Sequence, residues 1–180
     1  AAARSAAGER LYTGAYMVTN AGRVGPKHQV ICRDFLADLL RKSDDVITAI
    51  TTRYSMEDAI GALTRVDGFA VFMAKETLLD TRYTNAWPDE GPSDRETWTA
   101  MGPGARKGAG YIRYGDVTKK LNEAEALEVC REIYAMRHDY WPAEYESLDL
   151  DSIQFQFCEF GKYVKTNLGL GRPRGRYKRN

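Results

Sequence analysis

The chain has 180 residues, 43% hydrophobic and 28% charged, with a formal net charge of +1. That composition describes a globular protein long enough to bury a core and excludes low-complexity or collagen-like chains; no apolar run approaches the ~20 residues of a membrane span. Three cysteines (Cys32, Cys130, Cys158) lie far apart without a CxxC pair, and with only two histidines they predict no metal site, no cofactor, reduced thiols and a cytoplasmic setting.

In chain order, the small and polar start AAARSAAGER predicts a flexible N-terminus over 1–10, ahead of a helical body over 11–168. Residues 11–20 are aromatic and apolar, and the four-residue spacing of Tyr12 and Tyr16 favours helix slightly over strand. A loop with Arg23 and Lys27 follows. From His28, Ile31, Phe35, Leu36, Leu39 and Leu40 define one helical face; Lys42-Ser43-Asp44 is expected to end it and cap a helix of Val46, Ile47 and Ile50. Ser55-Met56-Glu57-Asp58 has the form of a capping box for a short helix whose Met56, Ile60 and Leu63 point inward.

The stretch VDGFAVFMAKETLLDTRY organises the rest. A turn at Asp67-Gly68 opens a helix with Phe69, Phe72, Met73, Thr77 and Asp80 at spacings of three or four, widened by Val71, Leu78 and Leu79. Asp80, at its end beside Arg82 and Tyr83, is either a pocket acid or an exposed acid paired with Arg82. Ser93 or Asp94 is expected to cap a short helix carrying Trp98, with Trp87 and Trp98 as core pegs rather than stacking platforms. Next comes MGPGARKG, where Gly102, Gly104 and Gly108 accompany Arg106 and Lys107. Glycines let a backbone approach a ligand closely, and amides opening a helix suit an anion. The run is neither a Walker A loop nor a dinucleotide fingerprint.

Asn122 is expected to cap a long helix with Ala126, Val129, Cys130, Ile133 and Met136 inward, stopped by Pro142. In the last element, capped by Asp151 or Ser152, Ile153, Phe157, Phe160 and Val164 share a side. Glu159, between Phe157 and Phe160, is either an acid of raised pKa that moves protons or a surface partner of Lys162. The end is basic: Lys165, Arg172, Arg174, Arg176, Lys178 and Arg179 meet no acid, so the remainder of the chain is net negative. A tail of this kind over 169–180, interleaved with glycines and Tyr177, fits a polyanion partner. The expected architecture is all-α, a compact single-domain helical bundle with helix-hairpin-helix-like turns and a basic C-terminal tail.

GFAVFMAKETLLDTRY, then W-x-x-M-GPGARKG, then FCEFGKY and the Gly/Arg tail ending in Tyr177 occur in that order. This order resembles the helical domain associated with phage 5-hydroxymethyl-deoxyuridine (5-hmdU) DNA kinases. It is similar also to alpha-glutamyl/putrescinyl-thymine pyrophosphorylases, some of which are thought to act as amino acid:DNA transferases. The resemblance covers about 12–177 and implies action on hypermodified pyrimidines in double-stranded DNA. In that group a kinase phosphorylates the 5-hydroxymethyl group, and a transferase displaces pyrophosphate with an amine or amino acid. A relationship to helix-hairpin-helix DNA glycosylases has also been suggested. These 180 residues contain no P-loop, so by themselves they are not the phosphorylating part, and a separate DNA kinase is the implied partner.

Three functions remain open: an amine or amino acid transferase, a glycosylase, and a non-catalytic module that recognises modified DNA. The catalytic candidates are Asp80, Glu159 and Lys162. Tyr16, Asn20, Phe72, Arg82 and Tyr83 are candidate substrate contacts. Lys27, Gly68, Gly102, Gly104, Arg106, Lys107, Arg172, Arg174 and Arg176 are candidate DNA contacts.

Overall fold

A computed structural model describes residues 2–9, 19–145 and 148–171, which are helical and contain no strand. Among them no helix is long and apolar enough to cross a membrane. Contacts divide the chain into two compact units: Ala1–Arg53 with Asp58–Ala86, and Tyr54–Glu57 with Trp87–Asn180. The first described residues form a short helix, α1 (Ala2–Ala6), whose Arg4 pairs at 2.6 Å with Glu9 in the turn that follows.

The first unit is dominated by one long helical run. It passes from α2 (Lys27–Gln29) through π-helical turns at Val30–Phe35 into α3 (Leu36–Thr48), then through a second π-helical stretch at Ala49–Arg53. The break expected at Lys42-Ser43-Asp44 does not occur. A π turn holds more residues than an α turn, so each stretch rotates the inward face. Val30, Phe35, Val46, Ala49 and Ile50 are buried, whereas Leu36 and Leu40 are 44% and 75% exposed.

Helix α4 (Met56–Leu63) buries Met56, Ile60 and Leu63, as their spacing predicts. Its first amides, of Met56 and Glu57, each donate to the Asp94 carboxylate at 2.9 Å, and the Ser55 hydroxyl donates to it at 3.0 Å. The helix expected at Trp98 is instead a series of turns: the Asp94 carboxylate serves α4, while the Asp94 carbonyl accepts the Thr97 and Trp98 amides at 2.9 and 2.8 Å.

Between α4 and α5 (Val71–Thr81) the chain turns at Gly68, whose φ of 85° lies in the left-handed region. The Phe35 ring occupies the space a β-carbon at residue 68 would need. Arg23 lies over that ring, 5.6 Å from its centre, and forms ion pairs with Asp67 and, at 3.5 Å, with Asp34. Buried Asp38 anchors the same turn. Its carboxylate accepts the Asp67 amide at 2.9 Å, the Lys42 ammonium at 2.7 Å and the Arg41 guanidinium at 3.0 Å.

The inward side of α5 differs from the predicted stripe. Ala74, Lys75 and Leu78 are buried, while Val71 and Phe72 are 46% and 55% exposed. Ala74 and Leu78 stand four residues apart and share a face; Phe72 points elsewhere around the helix.

The second unit contains α6 (Pro103–Tyr114), α7 (Glu123–Ala135), α8 (Arg137–Tyr140) and α9 (Leu150–Asn167). Its core joins Met101, Ala105, Leu127, Cys130, Ile153 and Phe157, among others. Asn122 and Glu125 cap α7 reciprocally, the predicted start, with bonds of 2.8 and 2.9 Å. The helix ends at Ala135, short of the predicted length; Met136 is exposed and Tyr134 takes the inward place. Asp149, not Asp151 or Ser152, caps α9 by accepting the Ser152 amide at 3.1 Å. Asp151 is buried instead, accepting the Thr99 hydroxyl at 2.5 Å.

Candidate functional site

The broadest helix–helix packing among the described residues is α6 on α9. The sequence suggests a phosphate-approaching loop at GPGARKG, but α6 begins at Pro103 with Gly102 as its cap, so Gly104, Arg106, Lys107 and Gly108 are helical. A β-carbon at Gly108 would stand 2.7 Å from the Phe157 carbonyl carbon and nearer still to its oxygen. One at Gly104 would lie 3.0 Å from the Cys158 sulfur, and one at Gly161 would lie 3.4 Å from the Gly108 α-carbon. Small residues on both helices thus let the two backbones touch. The Arg106 Nε donates to the Leu121 carbonyl at 2.8 Å, clipping the following loop to α6. Lys107, Lys119 and Lys120 stand in solvent.

Beside this crossing lies a cavity of about 800 Å³, lined by Ile112, Ile133, Trp141, Phe155, Gln156 and Phe160, among others. Its rings are braced from behind. Trp141 meets Tyr134 edge-on at 6.4 Å between ring centres, and Phe160 tilts against Tyr111 at 5.8 Å. Arg137 in turn lies over the Tyr134 ring at 4.0 Å, and burial pushes the Tyr134 hydroxyl above its ordinary pKa.

Phe155, Gln156 and Phe160 face the cavity from α9, and Glu159 follows Phe155 by four residues and Gln156 by three. Helical spacing therefore carries this face one turn further, to Glu159. Glu159 is not enclosed. Its side chain is 63% exposed and pairs with Lys162 at 2.5 Å. The expected apolar enclosure fails because successive residues on a helix point about 100° apart: Phe157 turns into the core, while Phe160 turns toward the cavity.

The other candidates lie elsewhere. Asp80 is exposed near the end of α5, in the first unit, whereas Glu159 and Lys162 belong to the second. Phe72, Arg82 and Tyr83 accompany Asp80 on or just after α5; Tyr83 is 92% exposed and Arg82 half-buried. The Asn20 side chain closes the loop before α2 by donating to the Gly25 carbonyl at 2.9 Å. Lys27, half-buried, opens α2. Gly68 serves the turn against Phe35. Tyr16, Arg172, Arg174, Arg176 and nearly all of the basic tail lie outside the described residues.

Sequence reasoning passed over Trp141, Phe155 and Gln156. Their signal was present as aromatic density either side of Pro142 and through IQFQFCEF, but periodicity alone does not join two such segments.

The family described as "5-hmdU DNA kinase, helical domain" matches residues 2–170. No curated protein and no solved structure gives a significant match. The match spans almost every described residue and agrees with the all-helical architecture, so the chain belongs to the family of helical domains of 5-hmdU DNA kinases.

Proposed function

We propose that this chain is a recognition module for DNA containing 5-hydroxymethyluracil, acting beside a kinase that performs the phosphoryl transfer. The family match carries the reading. Two features of the residues support it. The 180 residues hold no glycine-rich loop ending in Gly-Lys-Ser/Thr, the part that cradles transferring phosphates. The two acids suited to proton transfer, Asp80 and Glu159, stand in water rather than inside an enclosed cleft.

Contact with the DNA backbone falls to exposed cations. Lys107 on α6 and Lys119 and Lys120 in the following loop are suited to phosphate, together with the cation-rich tail. The test is a titration of matched duplexes, one with 5-hmdU and one with thymidine, followed by nucleoside analysis with and without ATP and magnesium. Preference for the modified duplex, with every nucleoside mass unchanged, is the expected result.

Amine transfer is a second reading, and the position of Glu159, one helical turn from an aromatic cavity and paired with Lys162, favours it. There an amine nitrogen would attack the 5-methylene carbon of a pyrophosphorylated base. The carbon–oxygen bond would break with its electron pair leaving on pyrophosphate, and Glu159 would accept the proton from nitrogen. Lys162 would steady the departing charge, and Asp80 is the other candidate base. A base enlarged by the amine's mass, found after incubation with pyrophosphorylated DNA and amino acids, would replace the recognition reading with this one. An abasic site would replace it with a glycosylase.

A further inference from the structure

We infer that the aromatic cavity of the second unit is a receptor for a single unstacked pyrimidine base, an inference that rests on the recognition reading above. A base turned out of a duplex loses its stacking and pairing partners, and a receptor must replace both. Trp141, Phe155 and Phe160 offer faces and edges for stacking, and two of them are already braced, Trp141 by Tyr134 and Phe160 by Tyr111. A ring held in place before binding loses little freedom when the ligand arrives.

The polar side of the cavity is sparse and suited to the purpose. Ser152 has its hydroxyl on Asp149 at 3.1 Å, at the cap of α9. Gln156, exposed on the next turn, carries both an acceptor oxygen and donor hydrogens on one amide. 5-Hydroxymethyluracil sets a hydroxyl donor beside its O4 acceptor where thymine has only a methyl group, so a single amide can meet donor and acceptor together on the modified base alone. Among the described residues, no charged side chain lines the cavity. That absence of charge suits a neutral ring and leaves the phosphates to cations elsewhere. A volume of about 800 Å³ lies within the ordinary range for ligand pockets and leaves room for the sugar.

An apolar segment of a protein partner would use the same walls and pair its backbone with Gln156, but it would leave the family's tie to 5-hmdU DNA without a receptor for the base. The chemistry therefore favours the base.

The experiment compares wild type, Phe155→Ala and Gln156→Ala on duplexes that differ only in one 5-hmdU or thymidine. Both side chains are exposed enough for truncation to leave the fold intact, and equal melting temperatures check this. The expected result is a loss of preference for the modified duplex of about tenfold in each variant, the scale of one lost stacking or amide contact. Affinity for the thymidine duplex should stay unchanged. In wild type, the modified duplex should also shift the Trp141 indole resonance. Retained preference in both variants, with an unmoved indole, would overturn the cavity assignment while leaving the recognition reading in place; the cavity would then be a seat for protein. Wild-type protein without any preference would overturn both.

Discussion

The Phe157 carbonyl of α9 lies where residue 108 of α6 would carry a side chain, so only glycine allows the two helices to meet. Gly108→Ala must push backbone from backbone, because no flexible side chain is available to yield. A loss of about 3 kcal/mol, at the upper end for overpacking, is expected in urea unfolding. Gly104→Ala should cost less, since its neighbour is the Cys158 sulfur. Equal melting temperatures for Gly108→Ala and wild type would contradict this packing.

Asp94 supports a helix that begins almost forty positions earlier in the chain, by accepting the Met56 and Glu57 amides. Asp94→Ala leaves those amides without their acceptor and should cost about 1–2 kcal/mol, whereas Asp94→Asn should retain much of the cap. Thermal melts of the two variants side by side give the comparison.

Asp38 makes the fold sensitive to acid. The Asp67 amide, then the Lys42 ammonium, hold its pKa at about 2, below the ordinary aspartate value of 3.8. A lowered folded-state pKa means that the charged form favours folding. The contribution is complete above the unfolded value and is lost as pH falls from about 4 through about 2. Urea midpoints measured across that window should fall in wild type. The fall should be shallower in Asp38→Asn, which should start from a lower midpoint at neutral pH.

Glu159 and Lys162 form an exposed pair three residues apart, an arrangement worth at most about 0.5 kcal/mol. Glu159→Gln and Asp80→Asn should therefore melt within about a degree of wild type. On the recognition reading, both variants should also bind modified DNA as wild type does. A large loss in turnover to an enlarged base in Glu159→Gln, with binding intact, would favour the transferase.

Much of the architecture was legible in the sequence, and the failures share a physical origin. Met56, Ile60 and Leu63 follow a regular period and are buried; Asn122 and Glu125 carry their cap in four consecutive residues. Leu36 and Leu40 were misassigned because π turns rotate the face, and the identity of the side chains does not announce a π turn. Phe72 fits the spacing of three or four as well as its neighbours do, yet Ala74 and Leu78 are the buried pair and Phe72 is 55% exposed. The site was harder still. Glycines at 104 and 108 read equally well as an anion loop or as a helix contact, and only Phe157 and Gly161, some fifty residues away, distinguish the two. Trp141 and Phe155 line one cavity, but the chain from Pro142 into the first turn of α9 separates them in sequence.

The measurement closest to the central claim is the affinity of this chain for one duplex carrying 5-hmdU against the same duplex carrying thymidine, at two salt concentrations. At least about tenfold tighter binding to the modified duplex, some 1.4 kcal/mol, is the predicted outcome. Binding to both duplexes should weaken as salt rises, because the phosphate contacts are shared. Equal affinity for the two duplexes at both salt concentrations would contradict the claim.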